Sequence, residues 1–221
     1  MKPPRLLGGD DWKAVFQRRN VWELSESILI DWRNQNKRFY HWFATYAPPP
    51  KQVLELGCGP GRHAIVLSQA GYSVVAIELD SEIAIQAKRN VERLASDCDI
   101  SIQLGDITCL SEMFEANSFD VVSHGGMLEH YESAGAIRDA LEVQLAIAPI
   151  VIFDVPLPTP KNLELFRQDS IFRQLWTSRE WLDQTLVGFN VLAWTEELHS
   201  EMNMTDDLVC VIGREPPVMK G

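Results

Sequence analysis

The spacing of apolar positions changes once along the chain, at a run of prolines. From Asp11 to Tyr46 aromatic residues recur among polar ones, with Leu24, Ile28 and Trp32 at helical spacing. That pattern predicts two or so helices, closed by "APPP" at Ala47 to Pro50. Beyond the prolines, short apolar runs alternate with amphipathic stretches. "VLEL" (Val53 to Leu56), "YSVVAI", "ISIQL", "FDVVS", "IVIFDV", "NVLAW" and "DLVCVIG" are strand candidates. Arg62 to Ala70, the stretch from Ser81, Glu132 to Ala146 and Ser178 to Val187 are helical candidates, the second with a serine-first, capped start. Strands alternating with helices imply a parallel sheet covered on both faces. The last two strand candidates are joined by a polar loop, "TEELHSEMNMTDD", without a helix, which predicts an antiparallel pair at the end of the sheet.

A chain of 221 residues supports one sizeable core. Residues 1–50 are expected to form a helical cap over a main domain at 51–221, with a lid-like insertion at 156–177 after the fifth strand. The formal charge of −11 argues against a surface that tracks phosphates, so no nucleic-acid partner is expected. Cys58, Cys98, Cys109 and Cys210 show no CxxC pair and no histidine at ligand spacing, so they read as reduced thiols and no metal is expected. "MKPPRLLGGDDWK" has no continuous apolar core and no run is long enough to span a bilayer, which points to a cytoplasmic chain without a membrane partner.

The densest chemistry lies in "VLELGCGPGRHAIVLSQAGYSVVAIELD", Val53 to Asp80. Gly57, Gly59 and Gly61 sit at a strand-to-helix turn, where bare backbone lets a ligand approach and the helix offers unpaired amides. Glu78 closes the second strand about 20 residues later, where an acid can accept from both hydroxyls of a ribose. Asp106 follows the third strand in "LGDI", at the same edge of the sheet. Three consecutive strand ends thus carry candidate contacts to one nucleoside. The spacing is G-x-G-x-G, which differs from the G-x-G-x-x-G of dinucleotide binders, and no Lys-Ser or Lys-Thr follows as in a P-loop.

The series "LELGCGPGR", "IELD", "GDI" and "FDVVSHGGMLEH" resembles the motifs of class I S-adenosylmethionine-dependent methyltransferases. The resemblance implies a Rossmann-like α/β fold: a seven-stranded, mostly parallel sheet with helices on both faces and an antiparallel last strand. It also implies S-adenosylmethionine as cofactor and S-adenosylhomocysteine as product. Carried over by position, Gly57, Gly59 and Gly61 would pass under the methionine part and Glu55 would support that loop. Glu78 would hold the ribose, Asp106 and the Ile107 amide the adenine edge, and Ser123 and His124 would lie beside the sulfonium and the acceptor.

In "SHGGMLEHY", His124 is the first candidate for a base or acceptor-orienting group and His130 the second, while Glu129 and His130 also suit a role in fixing the loop. The loop lacks the Asn- or Asp-Pro-Pro-aromatic box of amino-methylating enzymes acting on bases, so a small-molecule acceptor with an O- or N-nucleophile is favoured. Tyr40, Trp42, Phe166, Phe172 and Trp176 are candidates for an acceptor lid, and the N-terminal aromatics also offer a surface for a homodimer. Two other readings are a scaffold that keeps the fold without turnover and an NAD-dependent oxidoreductase, the latter disfavoured by the glycine spacing.

Overall fold

Strands covered by helices on both sides must be apolar on both faces, and Val53, Leu54, Glu55 and Leu56 at the centre of this chain's sheet are all buried. The computed structural model describes residues 9–131, 133–168, 179–199 and 205–214. Its strands are β1 (Gln52–Leu56), β2 (Ser73–Glu78), β3 (Ile100–Leu104), β4 (Val121–His124), β5 (Ile150–Pro156), β6 (Asn190–Glu197) and β7 (Asp207–Gly213). They form one sheet in the order β3-β2-β1-β4-β5-β7-β6. The first five pair in parallel, whereas β7 lies antiparallel between β5 and β6. The fold is the Rossmann-like one expected from the alternation of periods. The strand order turns back at β1, which lies between β2 and β4, and this opens a crevice beyond the carboxyl ends of these strands.

The helices are α1 (Gly9–Arg18), α2 (Glu26–Gln35), α3 (Lys37–Tyr46), α4 (Arg62–Gln69), α5 (Ser81–Leu94), α6 (Leu110–Met113), α7 (Ala134–Ile147), α8 (Pro160–Gln168) and α9 (Arg179–Thr185). One face of the sheet packs Leu54, Val122, Phe153 and Leu208 against Ile137, Leu141 and Ile147 of α7. The other packs Val53, Ala76, Ile152 and Val209 against Ala64 and Leu67 of α4 and Ala84 and Ala87 of α5. Phe39 and Phe43 of α3 are fully buried in this second core, so α3 is built into the sheet's cover. The N-terminal region thus contains three helices where the spacing suggested two, and its last helix is core. Leu29 of α2 packs with Ile65 and Val66 of α4, and a Lys13–Glu82 ion pair joins α1 to α5.

The cap of α5 is Asp80, not the expected Ser81. Its Oδ1 accepts from the Glu82 and Ile83 amides at 2.8 and 3.0 Å, a charge-assisted arrangement that suits an acid at a helix N-terminus. Ser133 caps α7 in the same way, accepting from the Ala136 amide. Of the aromatics considered for a lid, the side chain of Phe166 and all of Phe172 and Trp176 lie outside the described residues. No helix among the described residues is long and apolar enough to cross a membrane.

Candidate functional site

Between β1 and α4 the chain makes a turn that only glycine tolerates. Gly59 has φ +54°, and a Cβ built there would lie 2.8 Å from Phe16 Cζ of α1, so both backbone and packing exclude a side chain. Gly57 is likewise left-handed and closed off by Met127. Asn90 of α5, fully buried, fixes the turn from beneath. Its Nδ2 donates to the Pro60 and Trp22 carbonyls at 3.0 Å, and its Oδ1 accepts from the Leu24 amide at 3.2 Å. The glycine turn and the N-terminal segment are thereby held to one side chain.

Glu78 ends β2 beside this turn. One carboxylate oxygen accepts from the Gly59 amide at 2.9 Å and the other from the Asp80 amide at 3.0 Å. Burial raises its pKa, while these amides pull it down by favouring the charged form. The side chain is therefore held in one rotamer, with lone pairs left over for a ligand.

Glu55, two residues before the turn, is 3% exposed and its Oε2 has no partner. Burial pushes its pKa up to about 8 against the opposing pull of Arg62. Arg62, in the first turn of α4, stacks its guanidinium 3.7 Å from the Trp32 ring centroid, and burial lowers its pKa to about 10. His63 shares a 2.7 Å hydrogen bond with the Tyr40 hydroxyl through Nδ1. Burial and the neighbouring Arg62 depress His63 to about 3, so the imidazole is neutral.

On the other side of the crevice lies a second set of acids. Asp154 near the end of β5 accepts from the Gly126 amide at 2.7 Å. Asp207, the first residue of β7, accepts from Thr205 at 3.0 Å. Both pKa values are raised by burial and by each other's neighbourhood of carboxylates. Glu129, 4% exposed and with Oε2 unpartnered, is pushed by burial up to about 8. His130 beside it meets Trp12 edge-on, and burial lowers it to about 4.

These groups line one cavity of about 470 Å³, within the size range of small-molecule sites. Glu55, Gly57, Gly59, Glu78, Ile107 and His130 all border it. Gly61, Asp106, Ser123 and His124 do not. Gly61 starts α4 with φ +93°, Asp106 spends its carboxylate on Thr108, and Ser123 is enclosed between β1 and β5. The placement of His124 is a correction with a simple cause. Successive strand residues point to opposite faces, and His124 points under α7, where it stacks on Phe153 and bonds Gln144 at 3.2 Å. It is therefore enclosed in the core, away from the crevice.

Sequence reasoning passed over Phe16, Arg62, His63, Asp154 and Asp207 as site residues. Asp154 carries the same signal that singled out Glu78, an acid at a strand's carboxyl end. Arg62 and His63 directly follow the third glycine, in the helix turn that faces the crevice. Asp207 had no local signal, because only the antiparallel course of β7 brings its first residue to this edge.

A methyltransferase domain family matches residues 53–144, the span that carries the glycine turn, Glu78, Ile107 and Glu129. Over that span the chain is similar to methyltransferase domains. Solved structures that share the fold hold S-adenosylmethionine or S-adenosylhomocysteine. Among curated relatives, the ubiquinone biosynthesis O-methyltransferase of Psychrobacter arcticus is 25% identical over 162 residues, 71% of this chain and 62% of that protein. A tRNA1(Val) (adenine(37)-N6)-methyltransferase of Photorhabdus laumondii is 30% identical over 97 residues, 42% of this chain and 38% of that one. The chain therefore spans about three-fifths or less of the length of these two relatives. Among solved structures, magnesium protoporphyrin IX methyltransferase of Synechocystis with bound S-adenosylhomocysteine superposes with a TM-score of 0.68 at 16% identity. That likeness covers 92% of this chain and 95% of the other.

Proposed function

We propose that the protein transfers a methyl group from S-adenosylmethionine to a small-molecule acceptor bearing an oxygen or nitrogen nucleophile. The observation that carries this reading is the doubly held Glu78 carboxylate over the bare Gly57–Gly59 backbone, at the mouth of a cavity that continues past it toward Asp154. The residues fit the cofactor. The turn leaves no room for side chains, Glu78 has lone pairs for vicinal hydroxyls, and the unpartnered Glu55 Oε2 awaits a hydrogen-bond donor. The Ile107 amide region completes the adenine side.

S-adenosylmethionine supplies an already activated methyl group on sulfur, so the protein's task is positioning and exclusion of water. Trp12 and Phe16 of α1 and Trp32 of α2 line the cavity from the side of the N-terminal helices, which makes residues 9–35 the cap over the site. In the tautomer whose Nδ1–H donates to Tyr40, His63 Nε2 presents a lone pair to the cavity, where it can accept a proton-bearing group of the acceptor. His63, rather than His124, takes the orienting role.

A small acceptor is supported by an acidic cavity enclosed by the N-terminal helices and by the net charge of −11, neither of which suits a phosphate backbone. Calorimetric titration with S-adenosylhomocysteine, with NAD as control, tests the reading. Micromolar binding of the first alone supports it, and binding of NAD alone, or of neither, overturns it.

A further inference from the structure

The cavity has two chemically different halves. Arg62, acting with Tyr40, Arg19 and Glu55, belongs to the half beside the glycine turn, and Arg19 and Arg62 are the cations among the described residues of the lining. In the other half Glu129, Asp154 and Asp207 act on one another and on Glu197, with no cation among the described groups that influence them. Two cations on neighbouring elements are already engaged, and Arg38 with Lys37 acts on Glu197. Lys161 bridges Asp206 and the His199 carbonyl, and Arg38 bonds Thr195 and the Glu196 carbonyl. Like charges brought together in a low dielectric repel strongly, so a cluster of this kind is costly unless something positive joins it.

Two further observations point to a ligand. Glu129 is 4% exposed, borders the cavity, and its Oε2 has no partner. Gly125, at the exit of β4, is closely approached from two sides: a Cβ built there would lie 3.1 Å from Asp154 Oδ2 and 3.3 Å from His63 Nε2. The Asp154 carboxylate and the His63 imidazole therefore flank the same piece of bare backbone on the cavity wall. Among the described residues no three His, Cys, Asp or Glu side chains converge closely enough to hold a metal ion.

We infer that Glu129, Asp154 and Asp207, with His63 beside Gly125, form the acceptor subsite and that the acceptor carries a protonated amine held there. This rests on the methyltransferase reading for its role, but the subsite stands on its own geometry. An ammonium group offers several donors, one of them to the unpartnered Glu129 Oε2, and turns mutual repulsion among the carboxylates into attraction. The aromatic wall of Trp12, Phe16 and Trp32 suits a flat or arylalkyl body attached to it. Neutral alcohols gain less, and carboxylates are repelled.

The test uses the full chain and three probes of one shape: phenethylamine, phenethyl alcohol and phenylacetate. Each is titrated calorimetrically into protein loaded with S-adenosylhomocysteine. The amine is expected to bind about tenfold or more tighter than the alcohol, with no binding of phenylacetate. Amine binding near neutral pH should also release protons as the carboxyl groups ionise, seen as a heat that depends on the buffer. Asp154→Asn and Glu129→Gln, both close in shape to the native residues, should bring the amine down to the level of the alcohol and leave the affinity for S-adenosylhomocysteine unchanged.

Equal binding of amine and alcohol, or no binding of the amine to loaded protein, overturns the assignment. So does a loss of S-adenosylhomocysteine affinity as large as the loss for the amine, because the acids would then serve the cofactor. If the wild-type protein binds no S-adenosylhomocysteine, the methyltransferase reading fails, and the probe series on unloaded protein still decides the subsite by its dependence on charge.

Discussion

The two ends of the cavity satisfy their polar atoms in opposite ways. At the glycine turn, Glu78 accepts from two backbone amides, Asp80 caps α5, and Asn90 engages three backbone groups, so the turn is held before any ligand arrives and Glu55 Oε2 alone among these acids lacks a partner. Beyond β4 and β5, Glu129 keeps an unpartnered oxygen, and Asp154 and Asp207 sit among other acids. A preorganised end and a frustrated end in one cavity suggest different demands. The first must hold a ligand of fixed shape, and the second must bind one whose charge completes it. The contrast also separates what each kind of substitution should do.

The largest effect is expected at the preorganised end. Gly59→Val places a branched side chain where φ is +54° and Phe16 lies within 2.8 Å of its Cβ, so binding of S-adenosylhomocysteine should be lost. Circular dichroism would confirm the fold, and calorimetry showing native affinity in a folded variant would remove the turn from the site.

Next comes the pH dependence of stability, which probes the frustrated end. Glu129 has a folded pKa near 8 against an ordinary 4.5, so it binds its proton more tightly when folded. Its contribution is fully present below pH 4.5 and is lost as pH rises through about 8. His130 acts in the opposite sense. Its folded pKa of about 4 lies below the ordinary 6.5, so stability falls as pH drops through that interval. Between pH 6.5 and about 8 the carboxyl dominates this pair, and the ligand-free protein should lose about 2–4 kcal/mol across its window. Thermal melts of Glu129→Gln should show a flatter decline. An unchanged slope would mean that Glu129 is ionised and compensated in the native state.

Glu78→Ala comes third. It removes charge-assisted contacts to a ligand and leaves the Gly59 and Asp80 amides unpaired, weakening S-adenosylhomocysteine binding by about 1–3 kcal/mol. Calorimetry giving wild-type affinity in a folded variant would show that Glu78 supports only the turn. The smallest effect on binding is expected for His124→Phe. The ring lies under α7 with Phe153 and Gln144, so cofactor affinity should not move. Stability should drop by about 1–3 kcal/mol as the Gln144 oxygen loses its partner. A binding defect with an intact melting temperature would return His124 to the site.

The preorganised end was readable because its parts are local. Gly57 to Gly61 lie within one turn, and Glu78 ends the next strand, so spacing alone aligns them at one edge. The cap of α5 was misread by one residue because Ser81 and Asp80 both suit a helix start, and only the hydrogen bonds distinguish them. His124 was misplaced because sequence order gives its strand but not the face toward which an individual side chain turns. Tyr40 and His63 are separated by 23 positions and meet only because α3 packs beside α4 in one core.

By itself, the order of apolar runs and glycines determined the sheet, its antiparallel end and the edge that carries the glycine turn and Glu78, because strand alternation and left-handed turns leave a local imprint on the chain. The tertiary structure alone decided that Asp207, carried back to the active edge by the reversed β7, joins Asp154 and Glu129. Burial and mutual charge depend on which distant residues share a space, and no local pattern records that.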